Sequence, residues 1–426
     1  MLSVTRGAAL YIGALVGPGL LLVPSLAADA AGPASIIAWA GLLVLSAPLA
    51  VTFAALGVRH PVAGGVSAYV REAFGKTAAA VTGVWFLTAV VFGGPAVALI
   101  GGYYVADLTD SGTGVAVAVG IAMYGTVLAA NLAGLRLSSG FQLVLSAVLV
   151  AVVAVAVSVA LPTHATENWT PFAPHGWWAA GTAANILIWL FIGWEAMAQL
   201  AGDFRDPAHD LPRAMALAFV VITALYAGLA VATIVTATTG SRVPLADLIA
   251  VGFGRAGRDA TAVLAVALTM GTMNVYTGAA AKLAAALATE HELPGWFAGD
   301  AWRSIPRRPL LALGVTAVFL LAGLAAGVSS TSDLIRVTSA CFVLVYVLAL
   351  ASAVRLLTGR LRAAALVALA LICVVALFSA GFLVVPAAAA LLVLAVRSRD
   401  AGGWARQRRL ARARRSRSSS CPSSRS

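Results

Sequence analysis

Two short runs carry residue types that could hold a small charged molecule inside an otherwise apolar chain. The first is Ile12-Gly13-Ala14-Leu15-Val16-Gly17-Pro18-Gly19-Leu20-Leu21-Leu22-Val23-Pro24. Each glycine weakens a helix, and Pro18 lacks the N–H that would bond four residues back. A helix broken here bares N–H and C=O groups, which hydrocarbon tolerates only where the backbone lines a cavity or a ligand. The N–H groups that open the second half-helix would face the gap with positive polarity, and a carboxylate suits that place. The second run is Asn185-Ile186-Leu187-Ile188-Trp189-Leu190-Phe191-Ile192-Gly193-Trp194-Glu195-Ala196. Glu195 is the only acid deep inside an apolar span, and an intramembrane carboxyl is a functional candidate by default. It could accept hydrogen bonds from the frayed backbone of the first run. It could instead take up a proton, because an apolar surrounding penalises charge, or serve purely as a structural hydrogen-bonding acid.

The elements that must position these runs are membrane helices. The 426 residues are 61% hydrophobic and only 10% charged, whereas soluble domains carry about 25% charged residues. Apolar spans read at 8–29, 34–57, 81–105, 114–132, 141–161, 178–201, 214–238, 260–281, 309–328, 334–356, 363–379 and 380–396. Most approach the ~20 residues that cross ~30 Å of hydrocarbon. The expectation is an all-α integral membrane protein of 12 transmembrane helices. Ala28-Asp29-Ala30 looks like a leader cleavage site, but the Gly17-Pro18-Gly19 interruption argues for a retained span. The interrupted spans are the first and sixth, the same ordinal position in two sets of five. That pattern predicts a 5+5 inverted repeat with helices 1 and 6 broken at the midplane, where such transporters keep their site. The predicted organisation is repeat 1 over 7–161, repeat 2 over 177–357, two further helices over 363–396 and a basic tail over 397–426.

Charge placement orients the chain. With the N-terminus in the cytoplasm, 14 Lys and Arg residues before the tail fall on the cytoplasmic side and four (Arg242, Arg255, Arg258, Arg336) fall outside. This obeys the positive-inside rule. An even number of spans returns the tail, with its 10 Arg and one acid, to the same side. There it suits a disordered anchor on anionic lipid better than a nucleic-acid-binding arm. Ser67–Phe74 predicts a short amphipathic helix on that face. The cluster from Asp203-Phe204-Arg205-Asp206-Pro207 to Asp210-Leu211-Pro212-Arg213 reads either as a solvated turn or as a latch for an inner gate.

Other chemistries fall away. Phe74-Gly75-Lys76-Thr77 resembles the end of a phosphate-binding loop, but Val70 stands where that motif needs glycine. Gly17-Pro18-Gly19 opens like a dinucleotide fingerprint, but its third glycine would fall at Leu22. Cys341, Cys373 and Cys421 have no metal-ligand or disulfide spacing. No cofactor, metal or nucleic acid is implied, nor any enzymatic activity. The multi-pass character predicts a cell membrane, and a bacterial cytoplasmic membrane fits.

Together these motifs resemble the amino acid–polyamine–organocation superfamily. Ile12-Gly13 with Gly17-Pro18-Gly19 and Pro24 matches its first helix. Pro61, Gly64-Gly65, Tyr69 and Phe74-Gly75 match the segment after helix 2, and Phe191-Ile192-Gly193-Trp194-Glu195 matches the helix 6 break. Asp203 to Arg213 resembles a further family segment, with Asp206 where Asn is usual. Trp85-Phe86-Leu87, Gly94-Pro95-Ala96 and Asn274-Val275-Tyr276 carry a narrower likeness to bacterial methionine and branched-chain amino acid exporters. The resemblance implies alternating access around one amino acid site. It puts the substrate carboxylate on N–H groups near Gly17 and Gly19 and the ammonium on carbonyls around Phe191–Gly193 and from helix 1. Gly13, Val16, Ile192 and Trp194 complete the implied contacts, Trp194, Phe92 and Phe342 are the expected pocket walls, and Glu195 is the coupling group. Many relatives that take up amino acids with protons carry a Lys in helix 5; residues 141–161 hold no Lys or Arg. Thr269 and Thr272 could offer oxygens to sodium or simply pack. The expected function is proton-coupled export of apolar amino acids, with an uptake permease or exchanger and a non-transporting sensor as alternatives.

Overall fold

The computed structural model describes residues 3–60, 65–135, 139–163, 166–195, 204–300 and 305–395. Its elements are helical throughout. Helix α1 spans Val4–Leu15, with Ser3 as N-cap, and stops at Val16, which turns extended (φ −83°, ψ 95°). Gly17 is also extended (φ −128°, ψ −173°) and leads into a short 3-10 turn, Pro18–Leu21. Helix α2, Val23–Ala31, then resumes with a proline in its first turn. The break thus falls where the missing Pro18 N–H and the flanking glycines place it.

Helix α3 (Ser35–Arg59) leads to α4, Gly65–Phe74, which buries Tyr69 and Val70 and is the short helix expected after span 2. Helices α5 (Lys76–Leu108), α6 (Thr113–Leu132) and α7 (Ser139–Ala160) follow. Helix α8, Ala179–Leu187, passes into a 3-10 turn over Ile188–Phe191 and then extended backbone at Ile192. The second half of the expected sixth span, 196–201, lies outside the described residues.

Beyond that gap lie α9 (Pro207–Val235) and α10 (Pro244–Thr289). Gly254 (φ 56°, ψ −147°) splits α10 into a short arm and a long one. The spans read from the sequence, 214–238 and 260–281, leave unassigned the stretch where the short arm stands. Helices α11 (Arg307–Ala325), α12 (Thr331–Leu356), α13 (Gly359–Phe378) and α14 (Ala380–Ala395) complete the fold. Among the described residues, nine helices are long and apolar enough to cross a membrane, whereas Val4–Leu15, Ala179–Phe191 and Ala380–Ala395 are shorter. Two of the three short pieces are the broken ones.

The tandem of α1 and α2 packs against α9, α7 and α8, while the long α5 is held between α10, α6 and α12. The core where these layers meet includes Tyr11, Leu20, Leu21, Leu22, Phe191, Tyr226 and Tyr346, each at most 1% exposed.

Candidate functional site

The two breaks meet. Gly193 has φ 134°, and a Cβ there would stand 3.1 Å from the Ala14 carbonyl oxygen. A Cβ on Gly19 would come within 2.7 Å of Leu190. At Gly193 the two backbones approach this closely only because the position lacks a side chain, while at Gly19 it is the Leu190 side chain that fills the space. Gly17 differs: a Cβ there would meet nothing within 4 Å, because Gly17 borders a cavity.

That cavity holds about 230 Å³, below the roughly 300 Å³ at which drug-sized pockets begin. Residues Gly13 to Gly19 form one side, and Trp189, Leu190 and Ile192 form the second. Apolar walls come from Ala89, Val90 and Val97 on α5, Met273 and Val275 on α10, and Phe342 on α12. Gln142, Thr272, Tyr276, Thr277 and Thr338 supply polar side-chain atoms, and none of the lining residues is an acid or a base.

The break frees main-chain groups, and each can be followed to its end. The Val16 amide still donates to Ile12 O at 2.7 Å, and the Leu20 amide turns to Gly17 O at 3.1 Å. Gly13 O accepts from the Ser146 hydroxyl at 3.3 Å. The Tyr226 hydroxyl sits 3.1 Å from Leu15 O and 2.9 Å from Leu190 O. Its one proton serves these two carbonyls in turn, so Tyr226 joins both broken helices. Among the described residues, Ala14 O, Val16 O and the amides of Gly17 and Gly19 find no hydrogen-bond partner. Buried main-chain groups are rarely left unpaired. Two donors and two acceptors around one small cavity match the carboxylate and ammonium of a zwitterion.

Gly13, Val16, Gly17, Gly19 and Ile192 therefore line the cavity, as does Phe342. Phe191, Gly193, Trp194 and Phe92 are not among the lining residues. The Phe191 ring packs on Trp39 and Tyr226, and the fully buried Trp194 packs toward Phe219. Glu195 lies behind the break: its Oε2 accepts from the Gly193 amide at 2.9 Å and from the Tyr346 hydroxyl. The frayed backbone it caps belongs to its own helix rather than to helix 1, because a carboxyl two residues along reaches that amide without crossing the gap. Thr269 donates to Ala265 O at 2.7 Å within its helix, while Thr272 faces the cavity and accepts from Gln142 Nε2 at 3.4 Å. Among the described residues the 204–213 cluster pairs internally, Asp206 with His209 at 2.8 Å, and shows no ion pair that would make it a latch.

The sequence reading missed Gln142, Tyr226 and Tyr346. Gln142 Oε1 is buried without a partner among the described residues. A lone Gln opening an apolar span was a visible signal; the tyrosines gave none.

Next to the site, Leu20, Leu21, Leu22 and Val23 are buried. Farther out, Arg258 grips Asp107 at 2.6 and 2.7 Å and Asp247 at 2.7 Å. The Ser25 hydroxyl, on α2, lies 2.8 Å from Ser241 O and 3.1 Å from Thr238 O. The loop before α10 is thereby tied to α2, and α10 itself to α5.

A discontinuous first helix and a second helical run that ends at Ile192 meet at a small cavity, the arrangement by which membrane transport proteins hold a substrate. The chain belongs to the amino acid permease family, whose sequence model, described as "Amino acid permease", matches residues 2–399. It is 33% identical to the uncharacterized amino acid permease YecA of Bacillus subtilis (strain 168), over 83% of this chain and 85% of that protein. It is 29% identical to the L-methionine/branched-chain amino acid exporter YjeH of Escherichia coli (strain K12), over 89% of this chain and 92% of that protein. In fold it is similar to MhsT, crystallised with L-phenylalanine, with a TM-score of 0.54 at 14% identity, covering 88% of this chain and 98% of that one. The manganese transporter of Eremococcus coleocola matches with a TM-score of 0.51 at 12% identity, over 93% and 92% of the two chains. The fold is thus that of LeuT-type transporters.

Proposed function

We propose that this protein exports apolar amino acids, with methionine, leucine, isoleucine and valine as the substrate set, by alternating access coupled to proton antiport. The observation that carries the reading is the pair of Gly17 and Gly19 amides, unbonded among the described residues, at a cavity of about 230 Å³ whose described lining holds no charged side chain. The amides take the carboxylate, and Ala14 O and Val16 O take the ammonium. The side chain lies among Val90, Val97, Met273 and Phe342, where a second charge would find no counter-ion. The name of the Escherichia coli relative supports both the substrate class and the direction.

Glu195 is the proposed coupling group, since it bonds directly to the amide at the helix 6 break. Gain or loss of its proton would alter the hold on Gly193 and so bias the closure of helix 6 on helix 1. The proposed organisation is two inverted repeats, 7–161 and 177–357, followed by helices over 363–396. Both termini lie in the cytoplasm of a bacterial cell. The tail, 397–426, lies outside the described residues and is proposed to rest on anionic lipid. Uptake on the same fold is the second reading, favoured by the permease name of the Bacillus relative.

Everted and right-side-out vesicles loaded with labelled methionine and leucine, with and without a pH gradient, test direction and coupling together. Export predicts gradient-driven accumulation in everted vesicles. Accumulation in right-side-out vesicles only would assign uptake.

A further inference from the structure

A second cavity, of about 510 Å³, lies beside the first and shares Gly13, Ala14, Gln142 and Val275 with it. It runs between α1, α7 and α10, past Leu10, Ser146 and Gly278, and ends at Lys282. The two cavities form one path from the breaks toward the side rich in Lys and Arg. From Met273 to Lys282 is nine residues, or about 13 Å along the helix at ~1.5 Å per residue. Among the described residues lining either cavity, Lys282 is the only one with a charged side chain. It is exposed and makes no ion pair among the described residues.

We infer that Lys282 is a charge filter on the inner path, which rejects amino acids bearing a net positive charge. A groove with apolar walls and one sign of charge concentrates that charge's field along its length. A zwitterion is neutral overall, so attraction of its carboxylate and repulsion of its ammonium largely offset each other. Lysine and arginine carry one more cation and meet the field uncompensated. Among the described residues no acid along the path or in the cavity is there to pair with them. The filter therefore acts before the site does.

This inference rests on the proposed export of apolar amino acids, and the test keeps the two apart. Norleucine and lysine have the same four-carbon chain and differ by the terminal ammonium. Each is titrated against labelled methionine uptake into everted vesicles holding the full-length protein. In the unmutated protein lysine is expected to inhibit at least about tenfold more weakly than norleucine, equivalent to 1.4 kcal/mol. Lys282→Gln should narrow that ratio, Lys282→Glu should narrow it further, and Lys282→Arg should preserve it. Added salt should also narrow it, because screening shortens the reach of an exposed charge. A lysine-to-norleucine ratio that stays within twofold across the unmutated protein, Lys282→Gln and Lys282→Glu overturns the inference. So does equal inhibition by the two in the unmutated protein. If methionine does not move, the export reading fails separately. The filter is then read as thermal stabilisation of the same purified proteins by norleucine and by lysine, and absence of binding by both removes it too.

Discussion

The backbone does not require glycine at position 17. Its φ of −128° and ψ of −173° are open to any residue, and a Cβ there meets nothing within 4 Å. Gly17→Ala and Gly17→Leu should therefore insert and fold as the unmutated protein does. The added atoms enter the cavity of about 230 Å³, and leucine brings four carbons. Substrate and side chain then compete for one space, and forcing both in is overpacking, at about 1–3 kcal/mol. At 1.4 kcal/mol per tenfold, that is about 5- to 140-fold in affinity, with alanine at the lower end and leucine at or beyond the upper. Substrate affinity is measured by thermal stabilisation with methionine in detergent and by the KM for flux in proteoliposomes. Gly193→Ala is the contrasting variant: its φ of 134° and the Ala14 oxygen at 3.1 Å predict lower stability before substrate is added. Normal methionine affinity in well-folded Gly17→Leu would place the site elsewhere and refute the reasoning.

Glu195→Gln keeps an oxygen for the Gly193 amide and the Tyr346 hydroxyl but cannot titrate, so the pH dependence of transport should flatten; an unchanged pH profile returns Glu195 to a structural role. Tyr226→Phe removes the hydroxyl shared by Leu15 O and Leu190 O. Intramembrane hydrogen bonds are worth about 0.6 to 1.7 kcal/mol, so a lowered melting temperature in detergent is expected, and none would show that another group replaces the bond. Removal of residues 397–426 should leave the KM for methionine unchanged in proteoliposomes lacking anionic lipid, while a shifted KM would give the tail a part in transport.

The first break was legible because its cause is local. A proline without an N–H and glycines on both sides interrupt a helix whatever surrounds it, and the chain stops being helical at Val16. The helix 6 break was legible in Gly193 and Glu195, although the partner assigned to Glu195 was not. Of the expected walls, Phe342 lies on the cavity while Trp194 points toward Phe219, because an aromatic in an all-apolar span carries no mark of the face it will occupy. The arm at the start of α10 was missed since its moderate polarity leaves it outside the apolar spans, and only the turn at Gly254 sets it apart.

Membrane residence, the helical class and the two interruptions were determined by the sequence alone. Charge depletion over 20-residue stretches and the missing Pro18 N–H belong to the covalent chain and need no distant partner. Which of the freed main-chain groups would remain free was decided only by tertiary structure. Leu15 O is claimed by Tyr226, 211 residues away, and Gly13 O by Ser146, 133 residues away. Among the described residues no packed side chain reaches Ala14 O, Val16 O or the amides of Gly17 and Gly19, and that is a property of the assembled helices.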